Sequence, residues 1–232
     1  MGRDMDRRAF LTAAGGLAAA GIVSGTMAVA AEPPVGQKVK IVAVSCSPRP
    51  GKTTAAALKA ALEAAAKAGA NVETELIELA GLNIPVFDPA AADAPSDFVK
   101  VAAKLSDPAV GGIIVGTPVY FSNMSSLCKA FLDHCMALRK AKFALSGKVA
   151  GVLAVGGVRN GGQELAIASI QAALMCQEMI VVGDGKPTAH SGATLVNTGD
   201  SISGDEFGLG TAVNLGRHVA EVALRLAGAS RV

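Results

Sequence analysis

Tryptophan is absent from this chain of 232 residues, and tyrosine occurs once, at Tyr120. With so few rings, an aromatic placed in a loop is a signal rather than background. An excess of charge of one sign is missing too. The formal charge is +2 and no basic run follows the N-terminus, so nucleic acid is not an expected partner. Of the four cysteines none stands in a C-x-x-C pair, which gives no indication of a zinc or iron–sulfur site. Cys128 and Cys135 lie on one predicted helix, about 10 Å apart along its axis, too far for a disulfide within it. Cys176 lies in an apolar segment and reads as core, while a disulfide between other pairs stays open. The G-x-G-x-x-G pattern is missing after the first strand-like run, which excludes a dinucleotide-binding Rossmann unit. Gly51-Lys52-Thr53 invites a P-loop reading, but Cys46 stands where that motif needs glycine. The third strand ends in Gly116-Thr117-Pro118 and the fourth in glycines, not in a magnesium-holding aspartate.

What is present is mostly apolar: 51% hydrophobic and 17% charged residues suit one globular domain with a large core. The N-terminal segment stands apart. Arg7-Arg8-Ala9-Phe10-Leu11 precedes a mildly apolar stretch, Ala13 to Val29, too weak and short for a spanning helix. Ala28-Val29-Ala30 follows as an A-x-A-type cleavage site. Residues 1–31 therefore read as a twin-arginine export signal, with an ordinary secretory signal or an uncleaved anchor as the alternatives, and residues 32–232 as the folded domain. The expected partner of the signal is the twin-arginine translocase, and the expected location is the periplasm. That route moves folded proteins, so a cofactor can be inserted before export. Removing Arg3, Arg7 and Arg8 together with Asp4 and Asp6 takes the formal charge from +2 to +1.

Strand-like and helix-like segments alternate from Val39 onward. The runs Val39–Val44, Val72–Leu79, Gly112–Gly116, Val149–Val155 and Met179–Val182 predict five strands. Helices are predicted near Thr54–Ala68, Ser96–Leu105, Ser125–Leu138, Gln163–Met175 and Asp205–Leu226. The first, third and fourth strands are near-continuous apolar runs, as in a parallel sheet covered on both faces. The expected fold is thus α/β and doubly wound. Ligands of such sheets bind beyond the carboxyl ends of the strands.

Three loops belong at that edge. The first, Ser45-Cys46-Ser47-Pro48-Arg49-Pro50-Gly51-Lys52-Thr53-Thr54, joins a strand to a helix. It offers the N–H groups of a helix start, the hydroxyls of Ser47, Thr53 and Thr54, and the cations Arg49 and Lys52. That is a cradle for phosphate. The second runs from Gly116 through Thr117, Pro118, Val119, Tyr120, Phe121, Ser122, Asn123 and Met124 to Ser126. It puts Tyr120 beside Phe121 in a turn-like setting, while Ser125 or Asn123 is placed to cap the next helix. The third, Gly156-Gly157-Val158-Arg159-Asn160-Gly161-Gly162-Gln163-Glu164, has four glycines for close backbone approach and a central cation, Arg159. Cradle, aromatic platform and Gly-rich loop together fit flavin mononucleotide (FMN), with Tyr120 as the candidate platform beside the ring.

At these residues the chain resembles the NADPH-dependent FMN reductase group of the flavodoxin-like superfamily. Ser47-Pro48-Arg49 with Thr54, Thr117-Pro118-Val119-Tyr120-Phe121 and Gly161-Gly162-Gln163-Glu164 carry the resemblance. It is nearest to the flavodoxin domains of iron–sulfur flavoproteins and covers roughly Lys38 to Gly183, with Gly192–Leu226 also similar. Cys46 stands where the family usually has Gly, Lys52-Thr53 where it has Gly-Asn, and Ser122-Asn123 where it often has Gly-Ser. The relatives' compact cysteine cluster is missing, so no cluster and no metal are expected. The resemblance implies a flavodoxin-like sheet of order 2-1-3-4-5, FMN as cofactor, NAD(P)H as donor, and a homodimer or homotetramer with the flavin near a subunit interface.

Two functional classes remain. One is an FMN-dependent oxidoreductase passing electrons to a small acceptor such as a quinone, a nitro compound or a metal oxyanion. The other is a flavodoxin-type carrier between periplasmic redox partners. Carriers of that kind are strongly acidic, and the near-neutral charge here favours the enzyme. Export sits awkwardly with NAD(P)H, so a quinol or a redox protein is the alternative donor. No general acid or base is assigned. His134 reads as a partly buried helix residue, His190 as a loop residue that can line a pocket, and His218 as facing out of the last helix. Asp200 and Asp205 read as helix caps.

Overall fold

A computed structural model of the chain describes residues 38–91 and 95–228, and the proposed export segment, residues 1–31, lies outside them. Strand β1 (Val39–Ser45) leads into helix α1 (Thr53–Ala66), followed by β2 (Val72–Glu78), a single 3-10 turn at Pro89–Ala91, and α2 (Phe98–Leu105). Then come β3 (Val110–Tyr120), β4 (Asn123–Met124), α3 (Ser126–His134), α4 (Met136–Lys140) and β5 (Val149–Gly156). Helix α5 (Gln163–Met175), β6 (Ile180–Val181), β7 (Ala193–Val196) and α6 (Glu206–Gly228) complete the order.

The sheet runs β2-β1-β3-β5-β6, all parallel, which is the expected 2-1-3-4-5 order of a flavodoxin-like fold. Strand β1 shows why it is covered twice. Ile41 and Ala43 face one apolar layer with Ala57, Leu58 and Leu215, and Val42 and Val44 face the other with Phe98, Phe131 and Ile167. The period of two splits a continuous apolar run between two helical layers. Helices α1 and α6 form the first layer, and α2, α3 and α5 the second.

Among the described residues the sheet has seven strands, not the five expected. Two short strands were invisible in the pattern. Strand β7 pairs with β5 at Leu153–Gly156, directly beyond β6, which pairs with Val149 and Ala150. The edge position is therefore shared end to end by β6 and β7. Strand β4 folds back antiparallel on the end of β3, pairing Val119 with Met124 and Tyr120 with Asn123. Tyr120 thus ends a strand, not a loose loop. The turn residues Phe121 (φ 50°) and Ser122 (φ 61°) both have positive φ, the geometry of a two-residue I′ hairpin. Such turns usually announce themselves as Asn-Gly, and Phe-Ser does not.

The predicted helix Ser125–Leu138 is two helices, broken at Cys135. Ser125 caps the first of them, accepting the Cys128 N–H at 3.1 Å. Cys176 is exposed at the end of α5, contrary to its reading as core, while Cys46, Cys128 and Cys135 are buried. Burial pushes the Cys46 thiol well above its usual range, helped by Cys128, and takes Cys135 up to about 12, so both are neutral packing groups. His134 packs on Phe98 (5.4 Å) and Phe87 (5.3 Å) as a partly buried helix residue. His218 does not face outward: its Nδ1 lies 3.0 Å from the Gly183 carbonyl, under the loop after β6.

Candidate FMN site at the carboxyl edge of the sheet

The first loop leaves β1 at Ser45 and enters α1 at Thr53. Helix α1 has no side-chain cap, so its first N–H groups stay available to an anion. Ser47 is buried and accepts the Arg49 N–H at 3.1 Å, which bends the loop; Gly51 takes φ 65°, a conformation that favours glycine. Thr53 and Thr54 are buried in the first turn, and Arg49 and Lys52 stand exposed at the rim.

Both rim cations already hold a carboxylate. Asp200, on the loop after β7, lies 2.6 Å from Arg49 Nη1 and 3.2 Å from Lys52 Nζ. Hydrogen bonds from Arg49, then Lys52, hold the Asp200 carboxyl below the usual carboxylate range. Glu78, at the end of β2, accepts the Gly51 N–H at 2.8 Å. Asp200 is therefore not a helix cap, as its position suggested. Its carboxylate engages both rim cations, the kind of donor pair a phosphate also accepts from.

The second loop is locked to the first. Ser125 Oγ donates to the Cys46 carbonyl at 2.7 Å, and the Ser125 N–H donates to Thr117 Oγ1 at 3.0 Å. One serine thus caps α3 and ties the aromatic hairpin to the cradle. Pro118, Val119 and Met124 are half-buried at its base, and Ser122 and Asn123 are exposed at its end. Tyr120 is 46% exposed and Phe121 fully so, which leaves two rings beside the cradle without apolar cover. A bulky residue at positive φ on a turn tip is costly unless the position serves a purpose.

The hairpin tip rests on the third loop. A Cβ at Gly162, whose φ is 98°, would lie 2.5 Å from Ser122 Cα, so only glycine lets the two loops meet. Gln163 is buried and works as a staple: its Oε1 accepts the Gly161 N–H at 2.8 Å and its Nε2 donates to the Val158 carbonyl at 2.8 Å. Gly156 ends β5 beneath that amide, and Gly157 is exposed.

Arg159 goes elsewhere. Its guanidinium pairs with Asp205, donates to the Thr194 carbonyl at 3.1 Å and lies 5.4 Å from the Phe207 ring centre. Together with Asp205, which accepts the Val196 N–H at 2.6 Å, it satisfies the outer edge of β7. The sequence pattern did not reveal this edge strand, so these partners of Arg159 could not be read from it. His190, in the loop after β6, is exposed, with its ring 5.9 Å from Phe207.

Ser45 Oγ, at the end of β1, and Asn197 Oδ1, just after β7, are buried polar atoms with no partner among the described residues. A hollow of about 900 Å³ lies at the other end of the sheet, lined by Lys38, Pro108, Val110, Lys148 and Leu226 among others. None of the three loops reaches it. Among the described residues, no group of three or more His, Cys, Asp or Glu side chains is placed to hold a metal ion.

The chain is similar to several known proteins. An iron–sulfur flavoprotein of Methanocaldococcus jannaschii is 40% identical over 201 residues, covering 79% of this chain and 97% of that protein. The iron–sulfur flavoprotein of Methanosarcina thermophila is 33% identical, covering 79% and 95%. In fold the chain is similar to a flavodoxin-type, WrbA-like protein of Agrobacterium tumefaciens, at a TM-score of 0.55 and 20% identity over 80% of this chain and 98% of that one. An NADH:FMN oxidoreductase structure in its apo form gives a TM-score of 0.56 at 24% identity, over 84% and 92%. Residues 39–194 match the NADPH-dependent FMN reductase family, and the chain belongs to that family, an FMN-dependent oxidoreductase by membership.

Proposed function

We propose that the chain is an exported FMN-dependent oxidoreductase that delivers electrons to a small, flat acceptor such as a quinone or nitro compound. The observation that carries this reading is the join of three loops: Ser125 Oγ ties the anion cradle to the aromatic hairpin, and the hairpin tip rests on Gly162. The cradle holds the flavin phosphate through the α1 N–H groups, the Ser47, Thr53 and Thr54 hydroxyls and the Arg49 and Lys52 side chains. Tyr120 and Phe121 cover one side of the ring site, exclude water there and orient an acceptor face to face. When bound, FMN would supply the redox chemistry, with NAD(P)H, a quinol or a redox protein as electron donor.

The chain from Glu32 onward should purify with FMN bound or bind it when added. NADPH, NADH and a reduced cytochrome, tried anaerobically, separate the donors by bleaching of the flavin. Chemically reduced wild type should then reoxidise rapidly on mixing with a quinone, and Tyr120→Ala about ten-fold more slowly, since misplacing an acceptor by about 1 Å can cost more than that. Equal rates in the two proteins would remove the ring from the reading.

Export rests on Arg7-Arg8-Ala9-Phe10-Leu11. Replacing Arg7 and Arg8 by Lys keeps the charge and should strand the precursor in the cytoplasm. Secretion of the double-Lys form would identify an ordinary secretory signal instead. A homodimer or homotetramer fits the exposed apolar side chains Val158 in the third loop, Leu165 at the start of α5 and Phe207 at the start of α6, which a second subunit would cover.

A further inference from the structure

Asp200 sits on a built support. Thr198 and Ser201 close a two-residue turn by exchanging both backbone hydrogen bonds, at 2.8 Å and 3.1 Å. Its central residues, Gly199 (φ 57°) and Asp200 (φ 63°), both have positive φ, as an I′ turn requires, and aspartate is among the few residues that tolerate this. Ile202 anchors the far side of the turn in the layer formed by α1 and α6. The carboxylate is therefore held against the phosphate loop by backbone and core, not by a wandering side chain.

The charges at the cradle cancel. Arg49 and Lys52 bring two positive charges. Asp200 takes both of them, and Glu78 takes the Gly51 N–H. A phosphate entering this loop meets two cations that are already paired. It has to displace the Asp200 carboxylate or bind next to it, and both oppose binding of a dianion, by lost ion pairs or by like-charge repulsion. Riboflavin has the same ring and no phosphate, so it does not feel this carboxylate.

We propose that Asp200 is an internal competitor for the flavin phosphate, which sets how strongly the site prefers FMN over riboflavin and makes FMN exchangeable instead of permanently held. The inference rests on the reading of the three loops as the FMN site. Asn at position 200 keeps the turn, because asparagine also accepts positive φ, and removes the charge. Asp200→Asn should bind FMN about five- to ten-fold more tightly than wild type, the scale of one exposed charge acting on a doubly charged group. Riboflavin affinity should not change. The gain should shrink in about 0.5 M salt, where exposed charges are screened within a few ångströms.

The experiment is a fluorescence titration of apo-protein with FMN and with riboflavin, for wild type, Asp200→Asn and Glu73→Gln. Glu73 pairs with Lys38 far from the cradle, so its variant makes the same change of net charge in the wrong place. Tighter FMN binding in Asp200→Asn alone supports the competitor. Equal or weaker FMN binding in Asp200→Asn overturns it, as does an equal gain in Glu73→Gln or a parallel gain for riboflavin. If neither wild type nor Asp200→Asn binds FMN more tightly than riboflavin, the cradle is not the phosphate site and the inference falls while a flavin site remains. If no form binds either flavin, the reading of the three loops falls and takes this inference with it.

Discussion

Gly216→Ala should destabilise the protein by about 3 kcal/mol or more and weaken FMN binding at a site it does not touch. Gly216 is buried on α6, where that helix crosses α1. A Cβ there would overlap the Ala61 carbonyl and lie 2.7 Å from Ala61 Cα. The obstacle is backbone, which cannot rotate away as a side chain can. Overpacking of this kind costs roughly 1–3 kcal/mol even where neighbours adjust, and here a whole helix has to move. Helix α1 is also the element whose N-terminus forms the cradle, so pushing it outward shifts the N–H groups meant for phosphate. For a domain of this size the melting temperature should fall by roughly 6–12 °C. Gly210→Ala is the control on the same helix. Its Cβ meets nothing within 4 Å, and Ala is a better helix former by about 1 kcal/mol. A Gly216→Ala protein as stable as wild type would show that the helices are not in such close contact.

Asp205→Ala is expected to lose roughly 3 kcal/mol with little effect on FMN affinity. One carboxylate, only 10% exposed, does three jobs. It accepts the Gly208 N–H at 3.0 Å and so caps α6, it accepts the Val196 N–H at 2.6 Å on the outer edge of β7, and it pairs with Arg159. Loss of a cap costs about 1 kcal/mol, and a buried strand N–H left unpaired costs about 1–3 kcal/mol. The Arg159 pair adds less, because that guanidinium is 39% exposed and screened by water. Asp205→Asn keeps an acceptor for the cap and should fall between the two. Urea unfolding read by circular dichroism measures the order. An Asp205→Ala midpoint equal to wild type would mean that β7 does not depend on this side chain.

The parallel sheet and the strand-to-helix loop rich in hydroxyls and cations were readable because local chemistry writes them. Val39–Val44 and Val149–Val155 are continuous apolar runs, and such runs have one good solution, a strand covered on both faces. A glycine, hydroxyls and cations between a strand and a helix have one common use. Family resemblance then supplied the flavin.

Long-range pairings were not readable, and they decided the rest. Nothing in Arg159 or Asp200 says what lies opposite, and Asp200 was misread as a helix cap for that reason. Arg159 is taken by Asp205 across 46 residues, and Asp200 takes Arg49 across 151. Strand β7 is four residues long and β4 two, below the length at which a period can show. The Phe121-Ser122 turn lacks the residues that normally mark positive φ, and only the fit of Ser122 against Gly162 holds it. By itself the sequence determined which segments pair with backbone neighbours and where a loop rich in hydroxyls and cations joins a strand to a helix, since both follow from residues close in the chain. The tertiary structure alone decided which charges are already spent at the cradle and which rings stand uncovered, since those depend on side chains that meet only after the sheet has formed.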